Sequence, residues 1–163
     1  MRLPLAIATA LVVSLGLTTP ALSRPVFRPT AARPANSNSQ QLKVNQKLWN
    51  QQNISNYRYT LSRSCFCTPE ARGPVVVEVR NGVTTSVTSV ATGQPVDPEL
   101  FKQYDSVPEL FGVIKDAIAR KASSLTVQYE PKFGYPTQIS IDYSAQIADE
   151  ELYLTVENFE VLP

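Results

Sequence analysis

Apolar and polar residues alternate with a period of two in several short stretches of this chain. In the first of these, Tyr57, Tyr59 and Leu61 alternate with polar residues, which is the pattern of a half-buried β-strand. If the strand continues, the same alternation places Cys65 and Cys67 on the side of the tyrosines. The sequence therefore predicts a strand that leads into a Cys-x-Cys motif.

Three later stretches, 125–129, 139–143 and 152–156, have the same period of two. The last two are close in sequence, so we expect them to pair antiparallel. Between the early and late strands, Gly and Pro residues predict a loop over 91–105.

A β-hairpin is predicted around Asn81-Gly82, the strongest short-range signal for such a turn. A two-residue loop would pair Val79 with Thr84. A three-residue loop would pair Val79 with Val83 and place Gly82 in the left-handed position of a bulge. We favour the three-residue loop because it gathers the valines of both strands on one face.

Two segments have helical spacing. A thin apolar stripe predicts a helix over 40–52. Ser106 and Glu109 open a second helix as a capping box, in which Ser accepts from first-turn amides and Glu reaches back. The apolar face of this helix is expected to be core, and it comprises Leu110, Phe111, Ile114 and Ile118.

The order of elements is helix, three strands, helix, three strands. This order predicts a single α+β domain, with an antiparallel sheet of about six strands and two helices packed on one face. Residues 42–90 and 107–161 are candidates for two copies of one helix-plus-three-strand unit.

The N-terminus predicts export. Arg2 precedes an apolar stretch of about fifteen residues, and small residues follow at 21–23, so we expect a signal peptide over 1–23 with cleavage after Ser23. The alternative, an uncleaved anchor, needs about 20 apolar residues. Residues 24–40 are rich in Pro, Ser and Asn and are expected to be a disordered spacer, which leaves 41–163 as the folded domain. The expected location is periplasmic or extracellular, with no stable membrane insertion after cleavage.

Charge and composition exclude several classes of partner and of catalytic site. The chain has 15 basic and 14 acidic residues, and loss of Arg2 with the signal leaves 14 − 14 = 0, which argues against nucleic acid or an anionic membrane as the main partner. There is no His, which excludes Ser-His-Asp and Cys-His catalysis and most zinc sites. The sequence therefore predicts no catalytic residue, no metal site and no cofactor, and it favours a non-enzymatic role.

The two cysteines, Cys65 and Cys67, have three interpretations. Outside the cytoplasm a pair of this kind usually oxidises, so an internal disulfide is favoured. A ring so small is strained and oxidising, which would suit thiol–disulfide exchange. An intermolecular bridge or soft-metal capture is the third interpretation.

Two further clusters are candidate sites. Phe133 and Tyr135 stand on a loop stiffened by Gly and Pro, either as a candidate contact loop or, as we favour, folded back over the core. Residues 149–151, with Asp142, are acidic. Calcium loops space their ligands alternately around a Gly, so we favour a solvated hairpin tip over a cation site.

Several of these motifs together resemble a bacterial exported or lipoprotein domain family of unknown function. The resemblance covers about 45–160 and rests on Tyr57-Arg58-Tyr59, Cys65-Phe66-Cys67, the valine hairpin and the segment 129–139 with its Gly134-Tyr135-Pro136. It implies export, a single domain and a Cys pair, and it brings no assigned activity. Glu130 stands where the family tends to have Asp, and the lipidation Cys is absent.

The sequence thus favours an extracytoplasmic, non-enzymatic module that binds a protein or small ligand or supports the envelope. A thiol–disulfide redox protein using Cys65 and Cys67 is one alternative. A secreted protein inhibitor that presents an aromatic sheet or loop is another.

Overall fold

The computed structural model describes residues 35–147 and 149–163. The expected signal peptide, its cleavage after Ser23 and residues 24–34 of the expected spacer lie outside the described residues. Within the described part of the chain, no helix has the length and apolarity needed to cross a membrane.

Six strands form one antiparallel sheet with helices, which confirms the α+β class. The elements are α1 Ala35–Gln52, β1 Tyr57–Ser64, α2 Pro69–Arg72, β2 Val75–Arg80, β3 Val83–Ser89, a 3₁₀ turn Pro98–Leu100, α3 Val107–Ala119, β4 Ser124–Tyr129, β5 Pro136–Asp142 and β6 Glu151–Val161. The strand order is β3-β2-β1-β6-β5-β4, and β5 and β6 pair antiparallel as expected.

The strand order does not repeat as two superposable units. A shift of three places along the sheet takes β1 onto β4, but it reverses the strand direction because every pair is antiparallel. A rotation that reverses the strand direction and keeps the strand order also turns the sheet over, which would place the second helix on the opposite face. Both long helices lie on the same face, so no rotation superposes the two segments. The two helix-plus-three-strand segments therefore share element order without sharing a common three-dimensional arrangement.

The hairpin between β2 and β3 turns in two residues. Asn81 (φ 52°) and Gly82 (φ 76°) are both left-handed, as a type I′ turn requires, and Val79 faces Thr84. The favoured three-residue loop is therefore wrong, and the two-residue alternative describes the turn.

A β-bulge explains why Val87 of β3 nevertheless shares the buried face with Val75, Val77 and Val79 of β2, whereas Val83 is exposed. The pairing shifts between Glu78 and Val79, so that Thr85 is the extra residue of β3 and Val77 faces Val87. A bulge opposes two residues to one and changes the register beyond it. The valine packing that suggested a longer loop is thus reached at Val87, beyond the bulge, and not at Val83.

Both long helices cover the same face of the sheet. Trp49 of α1 is 5% exposed and contacts the Tyr57 ring edge-on at 5.3 Å between centroids, while α3 buries Phe111 and Ile114. Most strand residues of this face are buried, and the buried ones include Tyr57, Tyr59, Leu61, Val75, Val77, Val79, Val87, Val127, Ile139, Ile141, Leu154 and Val156. Leu125, Tyr129, Leu152 and Phe159 pack against them and are partly buried.

Helix α1 begins at Ala35, ahead of the expected start at residue 40. Asn38 is buried, and its Nδ2 donates to the Leu125 carbonyl of β4 at 3.0 Å. Residues 35–40, which composition assigned to the spacer, therefore belong to the folded domain. The polar composition of this segment predicts a spacer, but Asn38 satisfies its side-chain amide by bonding to the sheet and so can be buried.

The tyrosines of β1 hold the start of α3. The Tyr59 hydroxyl donates to the Tyr104 carbonyl at 2.6 Å, and the Tyr57 hydroxyl accepts from the Val107 amide at 3.1 Å. Ser106 caps the helix, since its Oγ accepts from the Glu109 amide at 3.3 Å. The Tyr-x-Tyr motif therefore has a structural role, which joins the sheet to α3.

Candidate functional site

The face of the sheet opposite the helices has no element packed on it within the described residues, and part of it carries no charge. Register places two rows of side chains on adjacent strands β1, β6, β5 and β4. We call these rows the uncharged face, and they comprise Ser64, Tyr153, Ser140 and Thr126 in one row and Ser62, Thr155, Gln138 and Gln128 in the other. A shallow depression of about 220 Å³ lies on this face.

At one end of β1, Cys65 and Cys67 are joined by a disulfide, with 2.07 Å between the sulfurs. The Cys67 amide donates to the Cys65 carbonyl at 2.9 Å, and Arg72 Nε donates to the Cys67 carbonyl at 3.2 Å. Between the two cysteines, Phe66 is 81% exposed. The bridge therefore closes a small ring that presents a phenyl group to solvent.

The exposed phenyl adjoins the uncharged face through Tyr153. Tyr153 faces Ser64 across the β1–β6 pair and is 49% exposed. A groove of about 190 Å³ joins these side chains, and we call its lining the disulfide tip: Ser64, Cys65, Phe66, Asp149, Glu151 and Tyr153. The tip thus combines two exposed aromatic rings with two carboxylates.

The acidic residues 149–151 and Asp142 are not arranged as a metal site. Within 35–147 and 149–163, no three His, Cys, Asp or Glu side chains converge as a metal ion would need. Asp149 and Glu151 instead border the disulfide tip. Their observed role is to make the edge of that groove negative.

The predicted contact loop folds over the core. Tyr135 is 8% exposed, and its ring stacks on Phe159 with 4.3 Å between centroids, while half-buried Phe133 lies 6.0 Å from the same ring. The Glu130 carboxylate accepts from the Phe133 amide at 2.5 Å and so fixes the turn. These aromatics serve packing, as the favoured interpretation had it.

Burial raises the pKa of both tyrosines of β1. Loss of solvation raises the pKa of Tyr57 to about 12, against a smaller lowering by its hydrogen bond to Val107. Burial raises the pKa of the Tyr59 hydroxyl well above its usual value. Both phenols are therefore protonated near neutral pH, and their observed contacts are the hydrogen bonds to Tyr104 and Val107.

Sequence reasoning missed Tyr153 and two core residues. Tyr153 occupies a polar position of the 152–156 alternation, and an aromatic residue on the polar side was the available signal. Phe101 and Tyr104 lie in the predicted loop 91–105 but are buried. The Gly and Pro content of that loop masked their packing against the sheet.

Comparison with known protein families identifies the family to which the chain belongs. The model described as "Family of unknown function (DUF6174)" matches residues 41–161, so the chain belongs to this family. Searches of curated proteins and of solved structures found no significant match.

Proposed function

We propose that this member of the DUF6174 family is an exported, non-enzymatic module that binds a protein partner through the disulfide tip and the adjoining uncharged face. The observation that carries the proposal is Phe66, which is 81% exposed inside a ring closed by the Cys65–Cys67 bridge.

A phenyl group held in this way suits recognition. Burying such a side chain contributes roughly 1.5–3 kcal/mol relative to leaving it in water. The ring and the hydrogen bond from Arg72 restrict the backbone around Phe66 before any partner arrives. Less conformational entropy is then lost on binding.

The chemistry of the surface indicates the chemistry of its partner. Asp149 and Glu151 border the groove beside Phe66, and among the residues that the structure describes no basic one lines it. Charged groups of opposite sign across an interface favour encounter and register. The fitting partner is therefore a protein with an apolar recess edged by Lys or Arg, whose flatter surface can hydrogen-bond to the uncharged face.

Site-specific photo-crosslinking in the producing cells tests this proposal. The photo-reactive residue p-benzoylphenylalanine replaces Phe66 or Tyr153 and, as a control, Val83, which is 65% exposed beside the hairpin turn at the opposite end of the sheet. We expect one discrete adduct from positions 66 and 153 and none from 83. Equal adducts at all three positions, or none at 66 and 153, would refute the proposal.

Export is a separate part of the proposal and has its own test. The intact mass of the protein recovered from outside the cytoplasm is expected to correspond to a chain that begins at Arg24. A mass that includes residues 1–23 would contradict cleavage after Ser23.

Thiol–disulfide exchange is a second candidate, because both cysteines are only half-buried at the surface tip. A partner thiolate would attack one sulfur and release the other as a thiolate, and a second partner thiol would then resolve the mixed disulfide. The products are a reduced Cys65/Cys67 pair and an oxidised partner. Alkylation after mild reduction separates the two candidates: a bridge that opens under weak reductant favours exchange, and one that resists it favours the binding role.

A secreted inhibitor is a special case of the binding role, in which the partner is a hydrolase. Identification of the photo-crosslinked protein distinguishes it, since an inhibitor is expected to be captured with a hydrolase whose activity the wild-type chain reduces and the Phe66→Ala variant does not.

A further inference from the structure

A second groove, with no residue in common with the disulfide tip, lies along one face of α3. It has a volume of about 410 Å³ and is walled by the helix on one side and by residues of β6 and two connections on the other. Its lining comprises Gln103, Tyr104, Glu109, Gly112, Val113, Asp116, Arg120, Tyr143 and Leu152.

Gly112 is the unusual residue of this groove. It lies in the interior of α3, where Gly destabilises a helix by roughly 0.5–1 kcal/mol relative to Ala. Its φ is not in the left-handed region, and a Cβ built on it would meet only Glu109 Oε2, at 3.8 Å. No packing contact of the described chain therefore requires Gly here, and its effect is to widen the groove.

Two carboxylates flank Gly112 on the same face of α3, three residues before it and four after. Asp116 is compensated, because the Tyr143 hydroxyl donates to it at 3.0 Å and Arg120 approaches it at 3.6 Å. The Arg120 guanidinium also stacks over the Tyr143 ring at 4.1 Å. The charged groups of Asp116 and Arg120 are therefore already paired within the protein.

Unlike Asp116, the second carboxylate of the groove, Glu109, is not paired in the described part of the chain. Within 35–147 and 149–163 its carboxylate has no hydrogen-bond or ion-pair partner, and the reciprocal capping contact expected from the sequence is not formed. With Glu109 and Asp116 negative and Arg120 positive, the lining has a net charge of −1. The groove therefore favours a cation over an anion.

Apolar side chains complete the wall beside the free carboxylate. Val113 and Leu152 are half-buried members of the core surface, and both line the groove. An alkyl chain can lie against them across the gap left by Gly112, with its charged end at Glu109. A long cationic side chain buries its methylene groups in this way while its charge stays hydrated.

We propose that this groove binds a primary ammonium group carried on an alkyl chain. Glu109 receives the ammonium, and Gly112, Val113 and Leu152 receive the methylene groups. The same chemistry occurs in a free alkylamine and in the lysine side chain of a protein, and the experiment distinguishes these two sources.

The test is a titration of the ¹⁵N-labelled protein followed by amide chemical shifts. n-Butylammonium is the probe, and 1-butanol is the uncharged control. We expect saturable shifts at Gly112 and Val113 with n-butylammonium and none with 1-butanol. Equal shifts with the two compounds, or no saturation with n-butylammonium, would overturn the proposal.

Variants make the test specific. Glu109→Gln is expected to weaken binding at least tenfold, whereas Glu99→Gln, a carboxylate paired with Lys102 elsewhere on the surface, is expected to leave it unchanged. Gly112→Ala is expected to stabilise the fold and Gly112→Leu to abolish binding by filling the gap. Retention of wild-type affinity by the correctly folded Gly112→Leu variant would also refute the proposal.

Two further probes, used at equal concentration, distinguish a free alkylamine from a protein lysine as the natural ligand. Tighter binding of the capped peptide acetyl-Gly-Lys-Gly-amide than of n-butylammonium supports a lysine of a protein partner. The reverse order, with spermidine bound most tightly, supports a free amine. Binding of neither peptide nor spermidine contradicts the proposal.

Discussion

At the scale of single residues, glycines with the same backbone conformation meet different surroundings. Gly134 (φ 82°) and Gly82 (φ 76°) are both left-handed. A Cβ on Gly134 would lie 2.5 Å from the Asn45 carbonyl oxygen and 3.0 Å from Leu48 Cβ, whereas a Cβ on Gly82 would meet nothing within 4 Å. The Gly of the Gly-Tyr-Pro motif is thus needed for close approach of the loop to α1.

This difference predicts the cost of two alanine substitutions. Gly82→Ala is expected to lower the free energy of unfolding by about 1–2 kcal/mol through backbone strain alone. Gly134→Ala adds a steric clash with α1 worth a further 1–3 kcal/mol or so. Urea denaturation of both variants measures the difference, and equal losses would show that the approach to Asn45 is not limiting.

The buried phenols predict the stability of the protein at alkaline pH. Burial raises the pKa of Tyr57 to about 12, above the value near 10 of an unfolded chain. The stability that a raised pKa contributes is fully present below pH 10 and is lost as the pH rises through 12. The urea midpoint is therefore expected to fall steeply above pH 10.

Tyr57→Phe provides the control for this pH dependence. The variant loses the hydrogen bond to the Val107 amide and is expected to be less stable at neutral pH. It cannot ionise at position 57, so its decline above pH 10 is expected to be shallower than that of wild type. Parallel declines would mean that Tyr57 does not titrate with folding.

At the scale of elements, the helix starts differ in how they are capped. Ser106 caps α3 through its side chain, whereas Thr68 precedes α2 with an extended backbone and no side-chain capping bond. A side-chain cap stabilises a helix by about 1 kcal/mol. The two positions therefore form a matched pair for substitution by alanine.

We expect Ser106→Ala to lower the free energy of unfolding by about 1 kcal/mol and Thr68→Ala to change it by less than about 0.5 kcal/mol. Thermal or urea denaturation followed by circular dichroism measures both. A loss at Thr68 as large as that at Ser106 would show that the capping bond is not the cause.

Sequence patterns predicted the individual strands and helices better than they predicted strand register and which strands are neighbours. The alternation around Tyr57 and the capping Ser106 identify a strand and a helix, because both signals are local. The hairpin register failed because the bulge at Thr85 moves the pairing by one residue with no local sequence mark. The uncharged face could not be found from sequence, since it forms only when β1 lies beside β6.

At the scale of the whole molecule, one aromatic cluster joins α1, the sheet and the 131–136 loop. Trp49 contacts Tyr57, Tyr135 and Phe159 edge-on, with 5.3, 6.3 and 5.8 Å between ring centroids. Such pairs stabilise beyond their buried area. The cluster makes α1 part of the core, although its sequence is mostly polar.

Trp49→Ala is therefore expected to lower the free energy of unfolding by about 3–5 kcal/mol. Val44→Ala, at a 60% exposed position of the same helix, is the control and is expected to change it by less than about 0.5 kcal/mol. Urea denaturation followed by far-ultraviolet circular dichroism measures both. A small effect at Trp49 would mean that α1 packs only loosely on the sheet.

The strand order has a consequence for how the chain reaches this structure. The hairpin β2–β3 and the β4–β5 pair close between near neighbours in sequence, but the central pair joins β1 with β6, and Tyr57 lies opposite Val161. Contacts between residues so far apart in the sequence slow folding because a large loop must close first. A chain still being made holds β1 without its central neighbour until β6 has been synthesised, so the two halves of the sheet cannot be joined before residues 151–161 have emerged.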